Sequence, residues 1–323
     1  MTQGRTSVPA RGFDTARPPA PEARHSTAAS WTALALALLL LLGFSGCSSV
    51  IKNKTKVEIP PAYQQAKTAT LDELVTLINQ RYAKVQSIVA SKFEVQFHGG
   101  SAELGFIENY PRAKGYLAAQ SPSSIYVNIL NPLTSSTLVA MASRNGVFQI
   151  WAPRDNKYLT GRTDVRLDED QPLFNVRPQH FLNALIIEPV PDSGALSAVF
   201  LEEDQDPSYK YYVVNVLQRE SESARFCLTR KIWIERSAMR IVRQQYYDCG
   251  AVVSNIVYSA PAEEGDFLVS TGVDMSRTKE HYRIDLKLDR EGLETNRAIK
   301  EERFDIPRPP GAELVEVKAK GSQ

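Results

Sequence analysis

Between residues 70 and 317 the apolar positions recur with two different periods. Leu71, Leu74, Val75, Ile78, Tyr82, Val85 and Val89 are spaced as one face of a helix, and Thr70-Leu71-Asp72-Glu73 matches a capping box at its start. The pattern predicts a helix of about five turns ending near 87–90. From Phe93 the period drops to two: Phe93, Val95 and Phe97 alternate with Glu94, Gln96 and His98 until Gly99-Gly100 breaks the run. Further strands are predicted at 116–120, 125–130, 138–142 and 147–151. Asn145-Gly146 supplies a two-residue hairpin turn, because both residues tolerate positive φ. Asp155-Asn156 marks the next turn, before 157–159. Pro178 suits the first turn of a second helix, with Phe181, Leu182, Leu185 and Ile186 as its apolar face and Pro189 and Pro191 as its stop. Strands follow at 209–218, 226–234, 239–247, 252–258, 267–271 and 282–288, and 304–307 and 314–317 close the domain. In 282–288, Tyr282, Ile284, Leu286 and Leu288 alternate with Arg283, Asp285 and Lys287, so one face of the sheet is dry and the other wet.

Ten or eleven antiparallel strands with two helices place the domain in a mainly β, α+β class. The expected solution is a strongly curved, incompletely closed β-barrel with the helices lidding a cavity. The dry faces would line that cavity: Phe93, Val95 and Phe97, then Ile125, Val127 and Ile129, with Phe181, Leu182 and Leu185 from the lid.

Upstream of this domain, Ala33 to Leu42 is unbroken apolar sequence, followed at once by Gly43-Phe44-Ser45-Gly46-Cys47. A bilayer span needs roughly 20 apolar residues, so this run suits the core of a secretory signal with small residues before the cut. A cysteine directly after Ser-Gly resembles the lipobox of bacterial lipoproteins, with Phe44 where that family usually has Leu. The resemblance implies a signal peptide with a long n-region over 1–46 and lipidation at Cys47. A flexible tether would follow over 47–69, then the domain at 70–317 and a tail at 318–323. An uncleaved N-terminal anchor is the alternative. Acyl chains on one residue anchor a protein at about 0.8 kcal/mol per buried methylene.

The formal net charge is only +1, which gives no electrostatic case for nucleic acid. In an exported, oxidising compartment the remaining cysteines, Cys227 and Cys249, are disulfide candidates. A hairpin centred on Ala238 sets them opposite each other, whereas a slip of one residue would leave two free thiols. A metal site would need more ligands than these. No Gly-x-Ser-x-Gly, His-Glu-x-x-His or phosphate-loop motif is present. His98, His180 and His281 stand singly, and the acidic runs 168–170 and 202–204 read as solvated loops. No catalytic residue, metal or cofactor beyond the lipid at Cys47 is assigned.

The order of elements resembles the LolA/LolB family, the periplasmic lipoprotein carrier and the outer-membrane lipoprotein receptor. Ser124 to Leu138, which contains Asn131-Pro132-Leu133, is similar to the receptor's strand, Asn-Pro-Leu loop and following strand, with Thr134 where the receptor has Gly. Pro178 to Pro191 is similar to the lid helix, and Phe304 to Gly311 to the carrier's C-terminal segment. The chain is longer than usual for that family around 192–208 and 260–266. The resemblance implies that the cavity residues bind acyl chains, that the partners are lipids, lipoproteins or a periplasmic carrier, and that Leu133 and Pro132 form a loop inserting into the membrane. The alternative for Leu133 is that it folds back under the sheet. Ser48 rather than Asp after Cys47 implies an outer-membrane location on the periplasmic face, inner-membrane retention being the alternative. A sensor or scaffold that binds another envelope protein is the second functional expectation.

Overall fold

The computed structural model describes residues 58–101, 103–165, 175–220, 224–259 and 269–317. The expected signal segment, Cys47, the 168–170 run, the 260–266 insertion and the tail lie outside them. In chain order the helices are α1 (Pro61–Gln64), α2 (Leu71–Lys84) and α3 (Pro178–Leu185). The first strands are β1 (Ser87–Ser101), β2 (Phe106–Asn109), β3 (Ala113–Gln120), β4 (Ser124–Leu130), β5 (Thr137–Arg144), β6 (Val147–Ala152) and β7 (Lys157–Arg162). They are followed by β8 (Ser197–Gln205), β9 (Lys210–Arg219), β10 (Phe226–Glu235), β11 (Arg240–Asp248) and β12 (Ala251–Ser259). The last are β13 (Gly272–Arg277), β14 (Tyr282–Leu288), β15 (Leu293–Thr295) and β16 (Glu313–Val317).

These sixteen strands form one sheet in the order β16-β7-β6-β5-β4-β3-β1-β14-β13-β12-β11-β10-β9-β8, with β2 and β15 also paired to β1. The order runs between two ends that do not meet. The expected half-closed antiparallel barrel of ten or eleven strands is therefore corrected to an open sheet, neither closed nor strongly curled. It is also mixed, because β16 runs parallel to β7. Both end strands carry edge chemistry: β8 holds Glu202-Glu203-Asp204 in its second half, and β16 is short with Glu313 and Glu316.

β1 joins two sequential meanders, β3–β7 and β8–β14. Its 15 residues are long enough to pair β14 and β15 along one side and β3 and β2 along the other. A register shift between Ala90 and Phe93 resets the side-chain parity. Ile88 and Ala90 before it, and Phe93, Val95 and Phe97 after it, are consequently all buried in the same core.

The capping box opens α2 as expected: the Thr70 amide donates to Glu73 Oε2 at 2.7 Å, and the Glu73 amide donates to Thr70 Oγ1 at 3.3 Å. The helix is shorter than its apolar spacing suggested, with Val85 as its C-cap and Val89 in β1. Val85, Ile88 and Val89 are β-branched and stiff at χ1, and Ile88 and Val89 find ladder partners in Ala119 and Ala118. The described end of the expected tether is hydrogen-bonded to the sheet. The Lys67 amide donates to the Arg236 carbonyl at 3.0 Å, and the Ala69 amide to the Tyr212 hydroxyl at 2.9 Å.

α2 and α3 cover one face of the sheet. The opposite face of the β4–β7 region is crossed by the segment from 296 to 312. Arg144 pairs with Glu301 at 3.0 Å and Asp305 at 2.6 Å, Tyr158 Oη donates to the Ile306 carbonyl at 2.8 Å, and the Ile306 amide donates to Gln149 Oε1 at 2.6 Å. Ile306 and Ala312 join Ala140, Ala142 and Tyr158 in a second small core. This crossing brings the chain to the start of β7, where the Glu313 amide donates to the Asn156 carbonyl at 2.8 Å, so β16 runs alongside β7 in the same direction.

Candidate functional site

Eight of the nine residues expected to bind acyl chains are brought together and buried. Phe93, Val95 and Phe97 of β1, Ile125 and Val127 of β4, and Phe181, Leu182 and Leu185 of α3 share one cluster with Leu74 and Ile78 of α2. Ile129 is half-buried against the same cluster. The side chains of the covering helices occupy the space between themselves and the sheet. Grooves open elsewhere, among them one of about 480 Å³ beside Glu94, Asp274 and Lys287 and one of about 800 Å³ between Tyr116, Ala118 and the 297–303 stretch.

The covering layer is laced by polar bonds. Asn79 of α2 donates to the Val190 carbonyl at 3.1 Å and accepts from the Val190 amide at 2.8 Å. Arg230 of β10 donates to the Glu188 carbonyl at 2.7 Å and the Pro189 carbonyl at 3.4 Å. The stretch leaving α3 is thus tied to α2 on one side and to the sheet on the other. Arg230 was not singled out in the sequence. Its signal was there, because Leu228, Arg230, Ile232 and Ile234 alternate and set a cation at a dry-face position.

His180 of α3 hydrogen-bonds through Nδ1 to the Tyr282 hydroxyl. Burial, then Arg277 and Arg177, hold its pKa well below the ordinary 6.5. Burial raises that of Tyr282. The folded state therefore keeps the ring neutral while the unfolded chain takes up a proton below about pH 6.5. Stability from this group is complete above the unfolded pKa and is lost as pH falls below it, with a slope approaching about 1.4 kcal/mol per pH unit. His180→Gln, which keeps a hydrogen-bonding side chain, is expected to lose less stability than the parent between about pH 6.5 and 5 in urea titrations. Parallel pH profiles would remove His180 as the cause.

Leu133 sits at the tip of the β4–β5 loop with 92% of its surface exposed. The loop is built around Asn131, whose Oδ1 accepts from the Leu133 amide at 2.9 Å and the Thr134 amide at 3.2 Å. The Asn131 amide donates to the Ser136 carbonyl, the Ser135 amide returns to the Asn131 carbonyl, and Ser135 takes φ 58°. Pro132 supplies no amide donor to this network. The side chain is thus held out by a fixed turn, on the side-chain-to-backbone logic that favours Asn in such positions.

Cys227 and Cys249 are joined, with their Cα atoms 4.5 Å apart. β10 and β11 keep the expected register from Arg230–Tyr246 to Trp233–Arg243, and the shift between Trp233 and Ile234 falls on the turn side, away from the bridge. The acidic run 202–204 is not a solvated loop. It lies in β8, where Glu202 meets Lys231 at 3.2 Å, Glu203 meets Arg236 at 3.1 Å and Asp204 accepts from Trp233 Nε1 at 3.0 Å. His98 is held between Asn109 and Asp285 on the wet face. His281 takes φ 53° in the turn before β14. Among the described residues no group of three or more His, Cys, Asp or Glu side chains could hold a metal ion, and no helix is long and apolar enough to cross a membrane.

No family model and no curated sequence matches the chain. Among solved structures it is similar to a DUF1329 family protein from Desulfovibrio piger, at 11% identity and a TM-score of 0.46 over 76% of this chain and 98% of that one. It is also similar to a LolA superfamily protein from Nitrosomonas europaea, at 10% identity and a TM-score of 0.44 over 74% of this chain and 99% of that one.

Proposed function

We propose that this chain is a lipid-anchored, non-catalytic envelope protein, tethered through Cys47 on the periplasmic face of the outer membrane, that receives acyl chains of lipoproteins and delivers them to the bilayer. The observation that carries this reading is Leu133: a large apolar side chain held out at a loop tip by a polar turn that offers it no cover. Burying such a side chain in a bilayer stabilises docking by about 1.5–3 kcal/mol, enough to bias an encounter and too little to anchor it. Three features support the reading: the lipobox-like Cys47, the Cys227–Cys249 bridge, which fits an oxidising compartment, and a dry sheet face under two short helices. An acyl chain reaches Phe93, Val127 and Phe181 only when α2 or α3 lifts, so uptake is a displacement of the cover and not the filling of an open cavity.

Leu133→Glu tests the reading. An exposed tip predicts a change in unfolding free energy within about 0.5 kcal/mol. It also predicts a roughly ten- to hundredfold loss of vesicle binding by the purified domain and failure in a lipoprotein-delivery assay. A stable variant that still delivers lipoproteins at the parent rate would overturn the membrane role of Leu133.

A further inference from the structure

The helix-covered face is not apolar throughout. Arg230 of β10 is the direct cross-strand partner of Tyr246 on β11, which is in turn the partner of Ser254 on β12. The three side chains therefore form one lateral row on that face. Gln244 of β11 lies beside the row, and its Nε2 donates to the Tyr258 hydroxyl of β12 at 2.5 Å. Arg81 of α2 acts on Tyr258 from the helix side. Arg230 is 5% exposed, Ser254 2% and Gln244 0%.

Arg230 Nε, the Tyr246 hydroxyl, the Ser254 hydroxyl and Gln244 Oε1 have no hydrogen-bond partner among the described residues. Tyr258 accepts from Gln244, so its own proton also lacks an acceptor. Turning the Gln244 amide over would let Oε1 take that proton and leave Nε2 as another unused donor. The row thus holds one donor-only guanidinium nitrogen and two hydroxyls free to donate, with no carboxylate bonded to any of them. Arg230 donates its hydrogen bonds only to backbone carbonyls and lies over the Tyr246 ring at 5.9 Å, and neither it nor Arg81 forms an ion pair among the described residues. Glu188 acts on Tyr246, but it lies on the exposed side. Buried donors without acceptors are rare in folded proteins and call for an explanation at each position. A cation is excluded by the Arg230 guanidinium. Water brings as many donors as acceptors and leaves the charge unanswered. A negatively charged group rich in oxygen answers both.

We infer that the row Arg230–Tyr246–Ser254, with Tyr258 beside it, is a subsite for an anionic phosphate or carboxylate headgroup of an amphiphile whose chain lies along Ile232, Ile256 and the adjoining dry face. This rests on the acyl-binding reading above and adds the sign and chemistry of the headgroup.

The test uses the delipidated full chain and three probes in calorimetric titration: decyl phosphate, decanol and inorganic phosphate. Decyl phosphate is expected to bind at least about tenfold more tightly than decanol, the difference that charge-assisted hydrogen bonds confer. Because Arg230→Gln also disturbs the contacts to residues 188 and 189, the decisive variant is Tyr246→Phe with Ser254→Ala, which removes only two unpaired hydroxyls. It is expected to weaken decyl phosphate about tenfold, to leave decanol unchanged and not to lower the thermal midpoint. Equal affinity for decyl phosphate and decanol, indifferent to the double variant, overturns the headgroup subsite while the acyl reading stands. Binding of inorganic phosphate that the double variant abolishes, with decanol inert, supports the anion site and overturns the acyl reading. No binding by any probe overturns both.

Discussion

Truncating Phe93 to alanine is expected to cost the fold about 3–5 kcal/mol, the range for removing a fully buried aromatic ring. Phe93 is 0% exposed and lies opposite Gly115 across β1 and β3. The fit is close: a Cβ on Gly115 would stand 2.5 Å from Phe93 Cζ and 2.3 Å from the Asn128 carbonyl. The ring therefore fills volume that β3 leaves open by having no side chain there. Gly115→Ala does not restore Phe93→Ala, because the clash with Asn128 is with backbone and persists. Urea denaturation with an unchanged m-value measures the loss. A cost below about 1 kcal/mol would mean that Phe93 borders open space and not packed core, and that acyl chains need no displacement of the cover.

Replacing Cys227 and Cys249 together by alanine is expected to remove about 3 kcal/mol, the chain-entropy value for a bridge closing a loop of this size. The sequence separation is 22. The bridge holds the open end of the β10–β11 hairpin, while the other end is fastened by its turn, where Glu235 accepts from the Ser237 amide at 2.6 Å and the Ala238 amide at 3.3 Å. Loss of the bridge should therefore fray the Cys249 end first, read as faster amide exchange at Asp248 and Ala251 than at Ile232 and Ile241. An unchanged denaturation midpoint in the double variant would show that strand pairing alone sets the hairpin's stability.

The features legible in the sequence are those decided within a few residues. The capping box of α2, the Asn145-Gly146 turn with φ 52° and 77°, and the alternation that buries Tyr282, Ile284, Leu286 and Leu288 all stand as read. The two cysteines were legible because a hairpin register is a local matter. What escaped was settled by distant partners. β8 looks like a loop because its acids mask its pattern, and they are placed by Lys231, Arg236 and Trp233 on other strands. Of the strand expected at 267–271, the described residues 269–271 lie outside any strand, and β13 runs Gly272–Arg277, where Asp274 faces Asp285 and interrupts the apolar run. β2 is exposed along its whole length and carries no burial signal. The parallel β16 depends on a crossing of the far face that no local pattern records. Closure failed as an expectation for the same reason: it depends on whether the two end strands meet. At the candidate site the Asn131-Pro132-Leu133 loop was visible as a resemblance, whereas the Arg230 row needed three strands in register to appear.

The central place of β1 sets the order in which the chain can fold. β1 is the first strand to be made, yet its partner β14 follows twelve other strands, and β16, the partner of β7, is later still. The meanders β3–β7 and β8–β14 can each form from neighbouring segments, but the seam between them closes only after β14 has been made. Pairings this remote along the chain are slow to form, and the partly assembled sheet meanwhile exposes an unpaired edge. The chain therefore has a vulnerable interval whose length is fixed by the synthesis of the segment that carries β14 to β16. Chaperones that shield β-edges would act during that interval, and truncation before β14 would prolong it indefinitely.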